Sequence, residues 1–532
     1  MGNSRGMKVL ASLIALTLAA ISPAAQAQDV AAVAPVSRPA LDYEAELQRT
    51  LEGYDSTGMV ASVLIDGEMV YLGALGTAEE GSNRPVTTDM AFPIASISKA
   101  FTTTALAILV DRGKVDWDAP VRRYIPEFAM YDPWVSEHFT VRDALTHRSG
   151  LPLGAGDLLI WPDGNAAPAD VIAALPHLRP STGFRDGYAY DNLLYIVAGE
   201  IVERVSGDSW ADFVTDELLV PIGLTGCAAQ MDRIPEGMSV VTGHERAANA
   251  DAGVPVDERL QFSPTWSAAG GIFCTAGDMM TWAKFWLDDG VTQRSERLLS
   301  EAQLAEVWTG VTPVSAPGFL KASGSSHLAL YSLGWFVQDY EGTLMVRHSG
   351  GAPGVVSNLI LLPEKGIAIF ASSNDYRPAA HSFTYHIANA LIADEKRDLI
   401  ADLGAAFRSA EQNGEVLIAD MVQAPGAPSA PDLALPAYAG TYRDAWYGDV
   451  HISQDADGLF IDMSRSEILD GALTHFSGNR FAAFWPDSSL KADAYVDFLV
   501  EDGAVTGLTM QAISDLTDFS YDFHDLQLQR VN

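Results

Sequence analysis

The sequence predicts an α+β protein of the broad α/β class. An antiparallel sheet is flanked by helices, carries an inserted helical lobe and is followed by a small all-β barrel or sandwich domain. Three observations predict this. Short alternating apolar runs occur in the first and last segments of the larger region, apolar residues at helical spacing fill its middle, and alternating runs return beyond a Pro- and Ala-rich segment. We therefore expect one sheet packed against a helical lobe, with a ligand cleft between them.

The first predicted element is a β-hairpin. Apolar and polar residues alternate over residues 60–64 and again over residues 69–75, and Asp66 and Gly67 lie between the two runs. An Asp-Gly pair flanked by alternating runs is a strong hairpin signal. This hairpin is expected to supply the first strands of the sheet.

Helical patterns follow in the middle of the chain. Residues 100–112 and 192–205 carry apolar residues at helical spacing, and each run ends at a glycine, as helices commonly do. A third helix is expected to begin at Thr275, whose hydroxyl can cap it with Asp278 three residues on. Strand character then returns in residues 333–337, 344–347, 355–362 and 367–371.

The N-terminal residues have the pattern of an export signal. Arg5 and Lys8 supply positive charge, residues 9–21 are apolar, and small residues up to Ala27 offer a cleavage site. The apolar run is short for a bilayer span. We expect a periplasmic or secreted protein with no integral membrane segment once the signal is removed.

A linker is predicted between two domains. Residues 424–436 consist largely of Ala, Pro, Gly and Ser, which offer little to bury. Beyond them, alternating runs such as Phe519, Tyr521 and Phe523 favour a small β-barrel or sandwich. The predicted organisation is a signal peptide at 1–27, an extension at 28–42, a large domain at 43–412, a linker at 413–436 and a C-terminal β domain at 437–532.

Composition excludes several classes of partner. Asp and Glu outnumber Lys and Arg by 69 to 33, and so negative a surface repels phosphate backbones, which argues against nucleic acid. The only two cysteines are Cys227 and Cys274. Export would permit one bridge between them, but two free buried thiols are favoured. Because ligand-spaced Cys and His residues are missing from the sequence, we expect neither a metal nor another cofactor.

Ser96 and Lys99 form the candidate catalytic pair. A spacing of three at the start of the helix predicted over 100–112 places the hydroxyl and the amine on one face. A serine hydroxyl needs a proton acceptor, and a lysine can be one if burial lowers its pKa. The helix N-terminus also favours the negative charge that develops when a carbonyl is attacked.

Three other candidate catalytic features are rejected by their positions in the sequence. Ser488 and Lys491 repeat the Ser-x-x-Lys spacing, but they follow a Pro-Asp pair with no predicted helix, so we interpret them as a solvated turn. A Gly-x-Ser-x-Gly pattern beginning at Gly2 lies in the presumed signal and follows no strand, which argues against a nucleophile elbow. His147 stands in a predicted loop, and a structural role is favoured for it.

Tyr190 and Asn192 form the single Tyr-x-Asn in the chain and precede a predicted helix. A phenol held near a lysine can share its proton, so Tyr190 can carry the proton from Ser96 to a leaving group. The amide of Asn192 can hold Lys99 or a substrate amide. Alone, this motif would indicate only a helix cap.

A third motif, His348-Ser349-Gly350-Gly351, ends a predicted strand. Its glycines let a backbone approach a ligand closely, as a substrate-binding edge strand requires. We therefore predict that His348 and Gly350 bind substrate, with His348 projecting into the cleft.

These three motifs, in this order, resemble those of the serine beta-lactamases, DD-peptidases and their esterase and D-aminopeptidase relatives. The stretches 92–95, 145–151, 269–272 and 333–335 are similar to the same superfamily, and the resemblance covers roughly residues 43–410. The region from Tyr438 resembles a small β domain often appended to these hydrolases.

The resemblance implies an acyl-enzyme on Ser96, with Lys99 and Tyr190 as general base and acid and the backbone N–H groups of Ser96 and Gly351 as the oxyanion hole. His348 stands where many antibiotic-hydrolysing members have lysine, so affinity for a substrate carboxylate is expected to be weaker. We therefore expect a peptidase or amidase acting on peptides with D- or unusual residues, or an esterase. A beta-lactamase or DD-carboxypeptidase is the alternative, and a non-turnover sensor that binds penicillin or cell wall is an alternative of another class.

Overall fold

The structure is a computed structural model that describes residues 41–246, 253–256, 263–422 and 430–531. The predicted signal at 1–27, nearly all of the extension at 28–42 and the middle of the predicted linker lie outside the described residues. From Leu41 onward the chain forms one compact unit. No described helix combines the length and apolar character that crossing a membrane requires.

The strands fall into one large sheet, one barrel and two small ribbons. They are β1 (Gly58–Ile65), β2 (Glu68–Gly76), β3 (Phe92–Pro93), β4 (Cys227–Ala228), β5 (His244–Glu245), β6 (Val254–Pro255), β7 (Phe273–Cys274), β8 (Thr312–Val314), β9 (Ala329–Tyr331), β10 (Phe336–Tyr340), β11 (Thr343–Ala352), β12 (Val355–Leu362), β13 (Ile367–Ser373), β14 (Gly440–Asp444), β15 (Gly448–Gln454), β16 (Leu459–Asp462), β17 (Asp470–Ser477), β18 (Arg480–Phe484), β19 (Ala494–Glu501), β20 (Ala504–Ala512) and β21 (Leu528–Val531).

Most helices lie between β2 and β8. They are α1 (Tyr43–Tyr54), α2 (Ser98–Asp111), α3 (Pro133–His138), α4 (Val141–Leu145), α5 (Pro168–Ala174), α6 (Leu193–Ser206), α7 (Trp210–Val214), α8 (Val220–Ile222), α9 (Ser267–Gly270), α10 (Ala276–Leu287), α11 (Glu301–Val307), α12 (Gly318–Ser323), α13 (Ala379–Ile392) and α14 (Leu399–Val422).

The large sheet joins the beginning and the end of the larger region, as predicted. Its described strands run in the order β2-β1-β13-β12-β11-β10-β9-β8, and all neighbours are antiparallel. Helices cover both faces, which explains why β12 and β13 are buried along their whole length. Val60 and Phe370 face the helical lobe, whereas Met59 and Ile369 pack with Phe383 of α13.

The predicted helices are confirmed within two residues. α2 and α6 correspond to the patterns at 100–112 and 192–205, and the Thr275 hydroxyl accepts a hydrogen bond from the Asp278 N–H at the start of α10. The strand predicted at 333–337 begins later, at Phe336. Gly334, with φ of 80°, forms a turn in which Ser332 N–H donates to the Trp335 carbonyl at 2.8 Å.

The C-terminal region is a closed barrel rather than a sandwich. Its eight described strands, β14 to β21, pair in sequence, and β21 closes the barrel against β14. Buried aromatic residues, among them Tyr438, Tyr442 and Phe498, pack together in its core. Helix α14 reaches Val422 and so includes the first ten residues of the predicted linker at 413–436. The predicted domain boundaries stay a prediction.

The alternating run at Phe519, Tyr521 and Phe523 is not a strand, contrary to expectation. It belongs to the irregular chain between β20 and β21, residues 513–527, which we call the β20–β21 connection. Tyr521 and Phe523 are buried while Phe519 remains exposed, because this segment packs against the larger region instead of pairing in the barrel. Alternation alone cannot separate these two arrangements.

Cys227 and Cys274 form a disulfide, so the expectation of free thiols is wrong. The two residues face each other across the antiparallel pair β4–β7, a neighbourhood that a separation of 47 residues does not reveal. Closing a loop of this length removes denatured-state entropy worth about 4 kcal/mol. β7 also pairs with β3, which lies just before Ser96, so the bridge stabilises the sheet behind the nucleophile.

The second Ser-x-x-Lys is a turn, as interpreted, but only partly solvated. Residues Ser488–Leu490 form one 3-10 turn that leaves Ser488 exposed and buries Ser489 and Leu490. Lys491 follows in the left-handed region with φ of 51°. The helix that brings Ser96 and Lys99 together has no equivalent here.

Candidate active site

Ser96 lies in a tight turn directly before helix α2. Residues Ala95–Ile97 form a 3-10 turn, and Ala95 has a positive φ of 46°, a strained conformation for a residue with a Cβ. One helical turn on, Lys99 Nζ donates to Ser96 Oγ at 3.1 Å. The structure thus brings together the first two predicted catalytic residues.

Lys99 is completely buried and its ammonium is fully hydrogen-bonded. Besides Ser96, Nζ donates to Asn192 Oδ1 at 2.8 Å and to the Ala269 carbonyl at 2.9 Å. It also lies 4.7 Å from the centre of the Tyr190 ring. Burial lowers the pKa of Lys99 to about 7, although nearby Asp157 opposes this shift. A lysine in this state can accept a proton near neutral pH.

Tyr190 lies beside Ser96, and the two side chains hydrogen-bond. Burial raises the pKa of the Tyr190 phenol well above its ordinary value, while the bond to Ser96 lowers it. Tyr190 therefore stays protonated near neutral pH. This favours Lys99 over Tyr190 as the group that first removes the serine proton.

Asn192 links Lys99 to a buried carboxyl that the sequence did not single out. Its Nδ2 donates to Asp157 Oδ2 at 2.8 Å, and the Ser520 hydroxyl donates to the same oxygen at 2.9 Å. Burial raises the pKa of Asp157 to about 8. The result is a continuous chain of hydrogen bonds from Ser520, in the barrel region, to Lys99.

The β20–β21 connection is anchored beneath the active site. Asp522 accepts hydrogen bonds from the N–H groups of Gly156, at 2.6 Å, and Leu158, at 3.1 Å. These two residues flank Asp157. The barrel region therefore fixes the loop that positions this carboxyl as well as bonding to it through Ser520.

His348 reaches the predicted place but is not free to bind substrate through its nitrogens. It is buried, its Nδ1 donates to the Ser349 carbonyl at 2.6 Å, and Nε2 accepts from the Tyr331 hydroxyl at 3.0 Å. Burial lowers the pKa of His348 to about 3, with Lys99 adding to the effect. The imidazole is therefore neutral and engaged on both sides.

Gly350 and Gly351 serve different needs. A Cβ on Gly350 would lie 2.1 Å from the Ile94 carbonyl, so this position needs glycine to let β11 approach the chain before Ser96. Gly351 is exposed to the cleft, and a Cβ there would lie 3.2 Å from the Tyr376 hydroxyl.

The cleft over Ser96 is a cavity of about 260 Å³ with an aromatic wall. Tyr376 and Asp518 close one side, where the tyrosine hydroxyl donates to Asp518 Oδ2 at 2.7 Å. Among the described residues that line it, acidic groups are present but arginine and lysine are not. The aromatic lining residues are Trp161, Tyr190, Trp266, Phe336, Tyr376 and Phe519.

His147 packs inside the site without facing the cleft. Its Nδ1 accepts the Asp191 N–H at 3.1 Å, and its ring centre lies 4.3 Å from that of Tyr190. Burial lowers the pKa of His147 well below its ordinary value, so the ring is neutral. These contacts support the structural role favoured by the sequence.

Two family models and several known proteins match the chain. The family model described as Beta-lactamase matches residues 44–393, and one described as a domain of unknown function (DUF3471) matches residues 424–530. The chain is 27% identical to "Unguisins hydrolase ungD'" of Aspergillus campestris, over 80% of each protein. It is 28% identical to penicillin-binding protein 4 of Amycolatopsis lactamdurans, over 73% of this chain and 93% of that one.

The chain is also similar to a protein of Escherichia coli strain K12 and to a solved structure. "D-alanyl-D-alanine-carboxypeptidase/endopeptidase AmpH" is 25% identical over 67% of this chain and 90% of its own. The octameric penicillin-binding protein homologue from Pyrococcus abyssi superposes with a TM-score of 0.55 at 18% identity, over 92% of this chain and 99% of that one, and supports the fold alone. Because the family model spans well over half of the sequence, the chain belongs to the Beta-lactamase family, within the superfamily of serine beta-lactamases and penicillin-binding-protein-like hydrolases.

Proposed function

We propose that the protein hydrolyses an amide or ester through an acyl-enzyme on Ser96. The observation that carries this proposal is the 3.1 Å contact between Ser96 Oγ and a buried lysine amine whose pKa is lowered to about 7. Lys99 takes the serine proton as Oγ attacks the carbonyl carbon. Tyr190 gives its phenol proton to the leaving amine or alcohol and is reprotonated from Lys99, which becomes neutral again. Water then attacks the ester on Ser96 and gives a proton to Lys99, which returns it to Ser96 Oγ as the acid leaves.

The oxyanion formed in each step is assigned to two backbone donors. These are the N–H groups of Ser96, in the turn before α2, and of Gly351, where β11 meets the cleft. The close packing of Gly350 against Ile94 keeps these two segments together. Loss of one such donor typically lowers kcat about a hundred- to a thousandfold.

The charges of the cleft favour substrates without an anion near the scissile bond. His348 is neutral, and Asp518 carries a carboxylate at the cavity wall. A free ammonium would be attracted to Asp518, which supports peptides or amides with a free amino group, including D- or unusual residues, and small uncharged esters. The similarity to AmpH keeps carboxypeptidase activity as the second candidate, and beta-lactamase activity belongs with it.

Export is part of the proposal. Residues 1–27 have the composition of a signal peptide, and the Cys227–Cys274 disulfide is typical of proteins that fold in an oxidising compartment. We therefore place the enzyme in the periplasm or outside the cell.

The nucleophile can be tested against the control that the sequence itself offers. We expect a fluorophosphonate to label Ser96, and Ser96→Ala to lose at least about a thousandfold in kcat on 4-nitrophenyl acetate, because the attacking atom is removed. Ser488→Ala, which alters the other Ser-x-x-Lys, should be labelled and turn over as the parent does. A stoichiometric burst without turnover in the parent would instead identify a sensor.

The proton acceptor predicts a pH profile. Because Lys99 must be neutral to act as a base, kcat/KM should rise with pH through a pKa near 7 and level off above it. Lys99→Arg stays charged and should be inactive at every pH between 5.5 and 8.5. A cooperative thermal unfolding transition would show that this variant is still folded. A flat profile between pH 5.5 and 8.5 in the parent would contradict this role.

Ser520 is expected to act as a positioning residue through Asp157. Its hydrogen bond lowers the pKa of Asp157, which lies near 8 because of burial, so Ser520→Ala should raise that pKa further. The ionised fraction of Asp157 that stabilises the Lys99 ammonium should then shrink, and the rising limb of kcat/KM should shift to lower pH. We expect kcat/KM to fall about tenfold and Ser520→Thr to restore it. Ser514→Ala, in the same connection, is the control. A loss of activity without movement of the limb would indicate mere destabilisation.

Asp518 is expected to select for a free amino group. Asp518→Asn keeps an acceptor for Tyr376 but removes the charge, so KM for D-alanine 4-nitroanilide should rise about tenfold. KM for the N-acetylated anilide, which has no ammonium, should not change. Equal effects on both substrates would exclude this form of recognition.

A further inference from the structure

A second cavity adjoins the active site and is the larger of the two. It has a volume of about 500 Å³, against about 260 Å³ over Ser96. Ser349, Gly351 and Tyr376 line both. The assigned oxyanion donor Gly351 therefore lies at the boundary, so a substrate whose carbonyl is bound there has room on either side.

A side-chain contact between the larger region and the barrel region lies beside this boundary. Tyr376 and Asp518 meet there through the 2.7 Å hydrogen bond. Both residues also line a third, small cavity of about 60 Å³, which shares Glu245 and Lys491 with the second one. The three cavities thus converge on one tyrosine.

The second cavity contains the cations that the first one lacks. Two of them are already neutralised: Arg246 pairs with Asp55 at 2.8 Å, and Arg377 pairs with Glu411 at 3.4 Å. Lys491 is different. Within the described part of the chain, no carboxylate lies within ion-pair distance of it.

The acidic residues that line the second cavity with Lys491 make hydrogen bonds or ion pairs to other groups. Glu245 accepts the Gly354 N–H at 2.9 Å, and burial raises its pKa to about 8, so it is largely protonated near neutral pH. Asp375 accepts the Thr57 N–H at 2.9 Å. Lys491 therefore remains available to an anion that enters the cavity.

We propose that the two cavities form one substrate groove, in which Lys491 binds a carboxylate at the end of the substrate remote from the scissile bond. This inference rests on the proposed acyl-enzyme function and names its substrate class: a peptide or ester that is uncharged or cationic at the reacting carbonyl and anionic further along. Lys491, the lysine of the second Ser-x-x-Lys, would then be a specificity residue supplied by the barrel region. It would provide the positive charge that the neutral His348 does not.

The test uses 4-nitrophenyl esters and the full-length protein. One series carries a carboxylate at the far end of acyl chains of increasing length, and the matched series ends in a methyl group. A second pair places the carboxylate, or a methyl group, on the leaving alcohol. In one of these sets, we expect the parent to hydrolyse the carboxylate ester of one chain length with a kcat/KM about tenfold higher than that of the matched methyl ester. This is the gain that a hydrogen bond to a charged group typically provides.

Variants at Lys491 decide whether that preference belongs to this residue. Lys491→Met should abolish it, Lys491→Glu should reverse it toward chains ending in an ammonium, and Lys491→Arg should keep it. Lys321→Glu, on the exposed surface of α12, is the control of equal charge change. Turnover of 4-nitrophenyl acetate, which carries no carboxylate for Lys491 to bind, should be the same in all of them.

Two results would overturn the proposal. One is a parent that shows no preference for a carboxylate in any set, and the other is a preference that survives in Lys491→Met. Failure of the parent to turn over 4-nitrophenyl acetate would instead overturn the acyl-enzyme function itself, so the two failures can be told apart. Thermal unfolding of each variant shows whether a lost preference reflects a lost fold.

Discussion

The active site depends on the burial of one amine. An ammonium is costly to remove from water, and Lys99 is tolerated at full burial because Ser96, Asn192 and the Ala269 carbonyl accept its three N–H groups. The same burial brings its pKa close to neutrality. The packing that positions the three acceptors around Lys99 therefore also sets the basicity of this lysine.

The barrel region takes part in this constraint rather than standing beside it. Ser520 bonds to the carboxyl of Asp157, and Asp522 holds the backbone on both sides of that carboxyl. Through Asn192 these contacts reach Lys99. A region that matches a domain of unknown function thus supplies part of the surroundings of the candidate catalytic lysine.

The sequence could predict whatever depends on local spacing. Ser96 and Lys99 are one helical turn apart, and Tyr190 and Asn192 precede a helix with a clear apolar pattern, so motif and fold class were accessible. Asp157 and Ser520 were not, because 363 residues separate them and nothing local indicates that they meet. The disulfide escaped for the same reason. The predicted role of Gly350 in substrate binding stays a prediction, and its tight packing against Ile94 could not be predicted because that contact exists only in three dimensions.

The link between Ser520 and Asp157 also bears on how such chains can be inherited. The segments that match two separate family models, residues 44–393 and 424–530, share a buried hydrogen bond at the active site. Recombination between homologues in the stretch that joins these two segments would combine the Asp157 loop of one parent with the β20–β21 connection of the other. The two halves are therefore expected to pass through evolution as a matched pair, and chimaeras should retain activity only where these contacts are compatible.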